Sequence, residues 1–411
     1  MRDDVLFLCQ FFYPENVSSA TLPFDTAEYL ASLGLKVGAL CGYPKEYLKS
    51  GKKVPKRETV SNVNIRRIKY MQPSRKSKFG RIMNYFSFTL SALFHLRFLK
   101  KYKAVVVYSN PPILPIVPIL AKKFYKTKLI FVAYDIYPEI GYASQSIRKG
   151  NMIDKVMKRI NRSLYKRADK VVALTDEMKQ FLLSNRNGIV EKNIHTIANW
   201  ATEKRSEKSE DAYKRFGYEN GQFIISYFGN MGTCQDIDTL LQSAKLMKNN
   251  DKVRFLIIGH GNKTELVKSF IAENELSNVQ FLNYLTGEAF EQAVAITSCF
   301  VVSLEKGLIG TCAPSKYYSY LQGGHPVIAI VEDDSYLAKE VEEKQIGRYV
   351  PIGDAEELKK QIEMLCSAPE VCFEMGKRAR DLYLSSYDKP IAMKKYEELI
   401  NEVLEGEATH E

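Results

Sequence analysis

Short apolar runs recur along the first half of the chain, separated by longer mixed segments. Val5–Cys9, Lys36–Leu40, Ala104–Tyr108, Leu129–Ala133 and Lys170–Leu174 are such runs. They are nearly continuous in hydrophobicity rather than alternating, which predicts strands buried on both faces. Helical patterns between them, as over Pro23–Leu33, predict parallel pairing through crossover helices. The pattern pauses at Glu203–Gln222, a charged stretch read as a linker without an apolar face. It resumes with strands at Phe223–Phe228, Phe255–Ile258, Val279–Phe281, Cys299–Ser303 and Pro326–Ile330. Helices are expected between them over Ile237–Lys248, Thr264–Glu273 and Ser315–Leu321. The fold expected is α/β, with two doubly wound Rossmann-like domains over residues 1–203 and 204–385. An amphipathic helix within 386–411, marked by Ile391, Tyr396, Leu399, Ile400 and Val403, is expected to return to the first domain. Ligands of such folds bind beyond the carboxyl ends of the strands, so the cleft between two such domains is the expected active site.

Length and composition narrow the class. A chain of 411 residues, 45% hydrophobic and 26% charged, suits two globular domains and excludes disordered and fibrous classes. Seven scattered cysteines without CxxC spacing argue against a zinc site or disulfide framework and for a reducing cytosol. The start has no signal-peptide shape, and the most apolar run, Pro111–Ala121, is too short to cross a bilayer.

Charge adds a partner. The formal net charge is +11, yet the stretch from Lys45 to Lys103 alone holds seventeen Lys or Arg against Glu46 and Glu58. Such asymmetry calls for an anionic partner: nucleic acid, anionic lipid or a phosphorylated substrate. Within it, Phe79–Phe98 is apolar enough for a membrane interface, while Asn84, His95 and Arg97 make it too polar to span. Arg75, Lys76, Lys78 and Arg81 precede its body, and Lys100, Lys101 and Lys103 follow, as in an interfacial helix. Aromatic residues such as Tyr70 and Tyr85 come with no nucleic-acid module, so no nucleic-acid partner is expected.

Three segments carry candidate chemistry. Tyr227–Gly232 brings a strand into a turn with Gly229, Asn230 and Gly232, ahead of Gln235 and a helix. Ile257–Asn262 repeats this with Gly259 and His260. Either is a plain strand-to-helix turn or a place where backbone amides meet a phosphate; two at equivalent points favour a nucleotide pocket. The third runs from Glu305 through Gly310 to Pro314, Ser315 and Lys316. Ser315 reads as an N-cap, placing free amides and the Lys316 cation where a diphosphate would sit, with Glu305 available to sugar or ribose hydroxyls. In the first half, Asp135 follows a strand and is either a turn aspartate or a group that orients or deprotonates an acceptor hydroxyl.

These residues resemble glycosyltransferase family four, of the GT-B fold. The likeness is strongest to bacterial members that build O-antigen and capsule units, including N-acetyl-L-fucosamine transferases. Gln10–Glu15 (QFFYPE), Asp135–Glu139 (DIYPE), Ile197–Trp200 (IANW), Gly229–Leu241 (GNMGTCQDIDTLL) and Gly307–Ala329 are similar to five family motifs, in order. The resemblance implies a retaining hexosyl- or N-acetylhexosaminyltransferase without a resident metal or other cofactor. Its substrates would be a nucleotide sugar, in the UDP form, and a polyprenyl-diphosphate-linked sugar. It also implies peripheral attachment to an anionic surface, the inner face of the cell membrane. Backbone near Tyr284 and Leu285 would meet the base, residues 314–316 the diphosphate, and Glu305 with the turn ending at Gly310 the sugar. Two features depart from the family. Asn230 and Gln235 stand where many members carry Arg and Lys, and Thr311 and Ser319 where many carry paired glutamates. Those departures keep open a non-catalytic partner subunit of another transferase, and a sugar-nucleotide 2-epimerase is the other alternative.

Overall fold

The computed structural model describes residues 2–44, 54–73, 78–202, 207–283 and 285–406. It divides into two compact units. The first comprises Met1–Asn199, Gly310–Ala313 and Lys389–Glu411; the second comprises Trp200–Ile309 and Pro314–Asp388.

The first unit is built on an eight-stranded sheet. Its strands are β1 (Asp3–Leu8), β2 (Val37–Gly42), β3 (Arg57–Val60), β4 (Val63–Ile68), β5 (Tyr102–Tyr108), β6 (Lys128–Ala133), β7 (Lys170–Ala173) and β8 (Ile194–Thr196). Their order is β3-β4-β2-β1-β5-β6-β7-β8, parallel except for the β3–β4 hairpin at one edge. Central strands are buried throughout, as β2 shows over all six residues, because helices cover both faces. The helices are α1 (Ser18–Ser32), α2 (Lys78–Phe94), α3 (Leu96–Leu99), α4 (Ile116–Tyr125), α5 (Glu139–Ala143), α6 (Met152–Arg167) and α7 (Asp176–Asn185). Phe88 and Ala92 of α2, Val117 and Ala121 of α4, and Leu164 and Tyr165 of α6 share one core with β1, β5 and β6, and α4 packs against both α2 and α6.

The second unit holds β9 (Phe223–Asn230), β10 (Val253–His260), β11 (Val279–Leu282), β12 (Cys299–Ser303), β13 (Val327–Val331) and β14 (Gly347–Pro351), in the order β11-β10-β9-β12-β13-β14, all parallel. Its helices are α8 (Glu210–Phe216), α9 (Asp238–Leu246), α10 (Thr264–Glu273), α11 (Glu288–Ile296), α12 (Lys316–Gly323), α13 (Tyr336–Glu343), α14 (Ala355–Ser367) and α15 (Pro369–Leu382). The last helix, α16 (Lys389–Glu405), belongs to the first unit, where it packs on α1 and β5. Two ion pairs fasten it, Lys389 to Asp25 at 3.0 Å and Lys170 to Glu402 at 2.5 Å.

The stretch read as a linker is partly helix. Ser209 caps α8 by accepting from the Ala212 N–H, Gly217 ends it with a positive φ, and Ala212, Tyr213 and Phe216 are buried. The helix is two turns long, too short for an apolar period to stand out.

Candidate active site

In the second unit, β9 and β10 lie in register to their last residues, so Gly229 stands beside Gly259 and Asn230 beside His260. A Cβ at Gly259 would meet the Gly229 carbonyl oxygen at 1.9 Å, and one at Gly261 the Met231 oxygen at 2.2 Å. Met231 donates to the His260 carbonyl at 2.7 Å, and Lys263 donates its N–H to Met231 at 3.0 Å. These glycines are therefore required first for the two turns to lock together, backbone on backbone. Next to them the Gly232 N–H donates to Gln235 Oε1 at 2.9 Å, closing the turn that leads into α9.

Lys316 begins α12. Its Nζ lies 3.7 Å above the centre of the Tyr227 ring and is shielded from solvent, without a hydrogen-bond partner among the described residues. Burial lowers its pKa to about 7. A Cβ on Gly229 would be 3.9 Å from this ammonium, so the cation sits against the first glycine turn. Tyr320, one turn further along α12, fixes the helix there: its hydroxyl accepts from the Phe228 N–H and donates to the Phe228 carbonyl, both at 3.0 Å. Ser315 differs from expectation. Its backbone is itself helical, with φ −58° and ψ −29°, and its exposed side chain caps nothing. A residue inside the helical region cannot turn its oxygen back on the first amides. Pro314 is buried just before it.

Glu305, on the exit of β12, is held rather than free. Lys263 Nζ donates to its Oε1 at 2.7 Å and to the Gln235 carbonyl at 2.9 Å, with Asp238 at 3.5 Å. Burial disfavours the Lys263 ammonium, but the hydrogen bond and charge of Glu305, with Asp238, outweigh it and the net pKa is raised. Asp236, Asp238 and Glu305 are close enough for their oxygens to meet one metal ion. The described contacts satisfy much of that charge internally: Lys263 bridges two of the three, and both Asp236 oxygens accept from Thr239. Leu285 is a half-buried loop residue ahead of α11, and Tyr284 lies outside the described residues.

In the first unit, Asp135 follows β6 at the carboxyl end of the sheet. Ser109 Oγ, at the end of the neighbouring β5, accepts from the Tyr134 N–H at 3.1 Å and the Asp135 N–H at 2.9 Å. The Ile136 N–H donates to the Thr311 carbonyl at 2.8 Å, and Asp135 pairs with Cys312 as an isolated bridge. Burial raises the Asp135 pKa to about 6. Glu139 has a supporting place. It pairs with Arg186, which also donates to the Tyr137 carbonyl. Gly310 departs from expectation: its φ is +68° and its N–H donates to Glu177 Oε2 of α7 at 2.8 Å, so this amide is not open to a donor sugar.

A Glycosyl transferases group 1 model matches residues 209–382, and a Glycosyltransferase Family 4 model matches residues 20–204. The chain carries two glycosyltransferase domains, one matched by each model, in the GT-B fold. This glycosyltransferase is 24% identical to "Probable glycosyltransferase WbjE" of Pseudomonas aeruginosa, over 72% of this chain and 74% of that one. It is 23% identical to "Putative colanic acid biosynthesis glycosyl transferase WcaI" of Escherichia coli K12, over 62% and 65% of the two chains. Among solved structures, Alr3699/HepE of Anabaena in complex with UDP-glucose has a TM-score of 0.72 at 13% identity, covering 98% of this chain and all of that one.

Within the transferase fold, the structure gathers Gly229, Asn230, Gly232, Gln235, Gly259, His260, Glu305 and Lys316 around the ends of β9, β10 and β12, and separately sets Asp135 at the end of β6. Lys263 is the residue sequence reasoning missed. Its signal was a lysine just past the second glycine turn, but its partner Glu305 is 42 positions away.

Proposed function

We propose that the protein transfers a hexosyl or N-acetylhexosaminyl group, with retention of configuration, from a UDP-sugar to a polyprenyl-diphosphate-linked saccharide. The reaction would serve assembly of a bacterial capsule or O-antigen, at the inner face of the cell membrane, without a resident metal. The observation that carries the donor half is Lys316: a buried, unpartnered ammonium at a helix start, beside a glycine turn. A diphosphate supplies the charge this group lacks, and the ammonium stabilises the nucleoside diphosphate as it leaves the anomeric carbon. Lys263 holds Glu305 extended toward the same strand ends, where its second oxygen can accept from a sugar hydroxyl. Asp135, with its pKa raised by burial to about 6, suits the acceptor hydroxyl as hydrogen-bond acceptor or base. The name of the colanic acid relative and the UDP-glucose bound to the Anabaena structure support the polysaccharide and UDP-sugar assignments.

Support for the membrane comes from α2. Phe79, Ile82, Phe86, Leu90 and Phe94 are all exposed and form one stripe at helical spacing. Exposed Arg97, Lys100 and Lys101 follow it. Arg75 and Lys76 lie outside the described residues. No described helix is long and apolar enough to cross a membrane.

Calorimetric titration with UDP-glucose and UDP-N-acetylglucosamine tests the donor half. Saturable binding that Lys316→Ala abolishes is the expected result. Absence of binding to any nucleotide sugar would instead favour the non-catalytic partner subunit.

A further inference from the structure

Helix α6 and the turn before it carry a one-signed surface. Arg148, Lys149, Lys155, Arg159, Arg162 and Arg167 are all exposed. The single acid between residues 148 and 167, Asp154, is 1% exposed and turned inward. It accepts from the Tyr142 hydroxyl, from the Gly150 N–H at 2.7 Å and from Lys158 at 3.0 Å. Lys158 is thereby offset, and the other cations face solvent without a counter-charge from their own helix. At the start of the same helix Met152 is 80% exposed, with Ile153 and Val156 also outside. A solvated helix ordinarily mixes signs and keeps large apolar groups inside. Apolar side chains ringed by cations are the composition of a surface that enters the headgroup region of an anionic bilayer.

Its position fits the same occupant as α2. Helices α2 and α6 lie on one face of the sheet with α4 between them and packed against both. Packed helices stand about 8–10 Å apart, which puts the two outer helices about 20 Å from each other. A single helical peptide, about 10–12 Å across, covers one of them; a flat lipid surface reaches both. Each helix also begins on the carboxyl side of the sheet, α2 after β4 and α6 after β6, the strand that Asp135 follows. We propose that α6 is a second lipid-contacting element, so that the first unit rests on anionic membrane through α2 and α6 together, with the carboxyl end of β6 beside the α6 contact. This rests on the membrane reading of α2 above, and places the end of the sheet that would receive a lipid-borne acceptor next to the lipid.

The test uses the full chain and vesicles of phosphatidylcholine with roughly one-third phosphatidylglycerol, at low salt. Lys155→Glu, Arg159→Glu and Arg162→Glu together should weaken partitioning by more than roughly a hundredfold, since each cation lost near such a surface contributes roughly fivefold and each carboxylate gained adds repulsion. Melting temperature should be unchanged, because all three residues are exposed. Apolar contact is read separately. Trp200 is the sole tryptophan and only 3% exposed, so in Met152→Trp the added indole reports its own surroundings. Its emission should shift to the blue on these vesicles and be quenched by brominated acyl chains. If the charge reversals leave partitioning unchanged while Phe86→Gln and Phe94→Gln abolish it, α6 is no lipid contact and the α2 reading stands. An indole at 152 that stays water-exposed on bound protein likewise overturns the proposal. Failure of the wild-type chain to bind anionic vesicles at all overturns both readings.

Discussion

The Lys316 ammonium and the Tyr227 ring face each other at 3.7 Å. Tyr227 is wholly buried, and its hydroxyl is spent on the Asn230 carbonyl at 3.0 Å, so it offers the lysine a π face and no hydrogen bond. A cation over an aromatic face gains about 0.5–2 kcal/mol, well short of the hydration it gives up. The pKa of about 7 records that deficit. A diphosphate would remove it, and the free and bound states would then differ in protonation.

Donor affinity should therefore depend on pH through Lys316. The group binds an anion as its ammonium. Below about pH 7 the free protein already holds that proton and affinity is flat; above it each bound donor must take one up. Affinity for UDP-glucose, whose diphosphate does not titrate in this range, should fall by up to about tenfold per pH unit above 7. Lys316→Arg should flatten the profile, because a guanidinium keeps its charge. Lys316→Ala should cost roughly 1.5–3 kcal/mol at pH 6. Calorimetry across pH 6 to about 9 decides it; a wild-type profile as flat as the Arg variant's would remove Lys316 from the diphosphate.

Asp135 should govern turnover rather than donor binding. Its folded pKa, about 6, lies above the ordinary aspartate value, so the carboxylate is present above pH 6 and lost as pH falls through it. Turnover at saturating donor should rise with pH through that point, and Asp135→Asn should lower it about 10²–10⁴-fold with donor affinity retained. An Asn variant with full turnover and lost donor binding would place Asp135 with the wrong substrate.

Lys263 should act through Glu305. Lys263→Met removes the hydrogen bonds to Glu305 and Gln235 and leaves Glu305 and Asp238 without their shared cation, beside Asp236. Donor affinity should drop at least tenfold, and Lys263→Arg should restore part of it. Stability offers an independent reading: unpaired carboxylates repel, so the Met variant should gain stability as salt screens them, more than wild type does. A Met variant with wild-type donor affinity would show that Glu305 needs no anchor.

How far the sequence disclosed this arrangement depended on where each partner lies. Parallel strands were legible because apolar runs such as β5 and β12 keep their character wherever the chain goes. The glycine turns were legible too, although their tightest contacts are with each other. The β3–β4 hairpin was not seen, because Arg57, Arg66 and Arg67 break its pattern. Arg67 is fully buried, paired with Glu58 and donating to the Tyr13 and Pro55 carbonyls, contacts that only the folded chain assembles. Ser315 misled because a cap is a backbone conformation as well as a residue type. Gly310 misled because its motif neighbours suggested a donor contact, whereas its amide is taken by Glu177.

Asn84 shows the same effect within the proposed membrane helix. In the sequence it is a polar interruption of an apolar segment; in the fold it is 3% exposed and faces the sheet. Gln10 Nε2, just beyond β1, donates to Asn84 Oδ1 at 2.6 Å, and Asn84 Nδ2 reaches the Met71 carbonyl at 3.3 Å. The pair pins α2 to the carboxyl end of β1. Asn84→Ala would leave the Gln10 amide buried without an acceptor, at a cost of about 1–3 kcal/mol. Gln10→Leu with Asn84→Leu removes donor and acceptor together and should recover part of that loss. Urea denaturation of the two variants and wild type measures both. An Asn84→Ala midpoint equal to wild type would mean that the amide pair does not hold α2, and that apolar packing of Phe88 and Ala92 alone does.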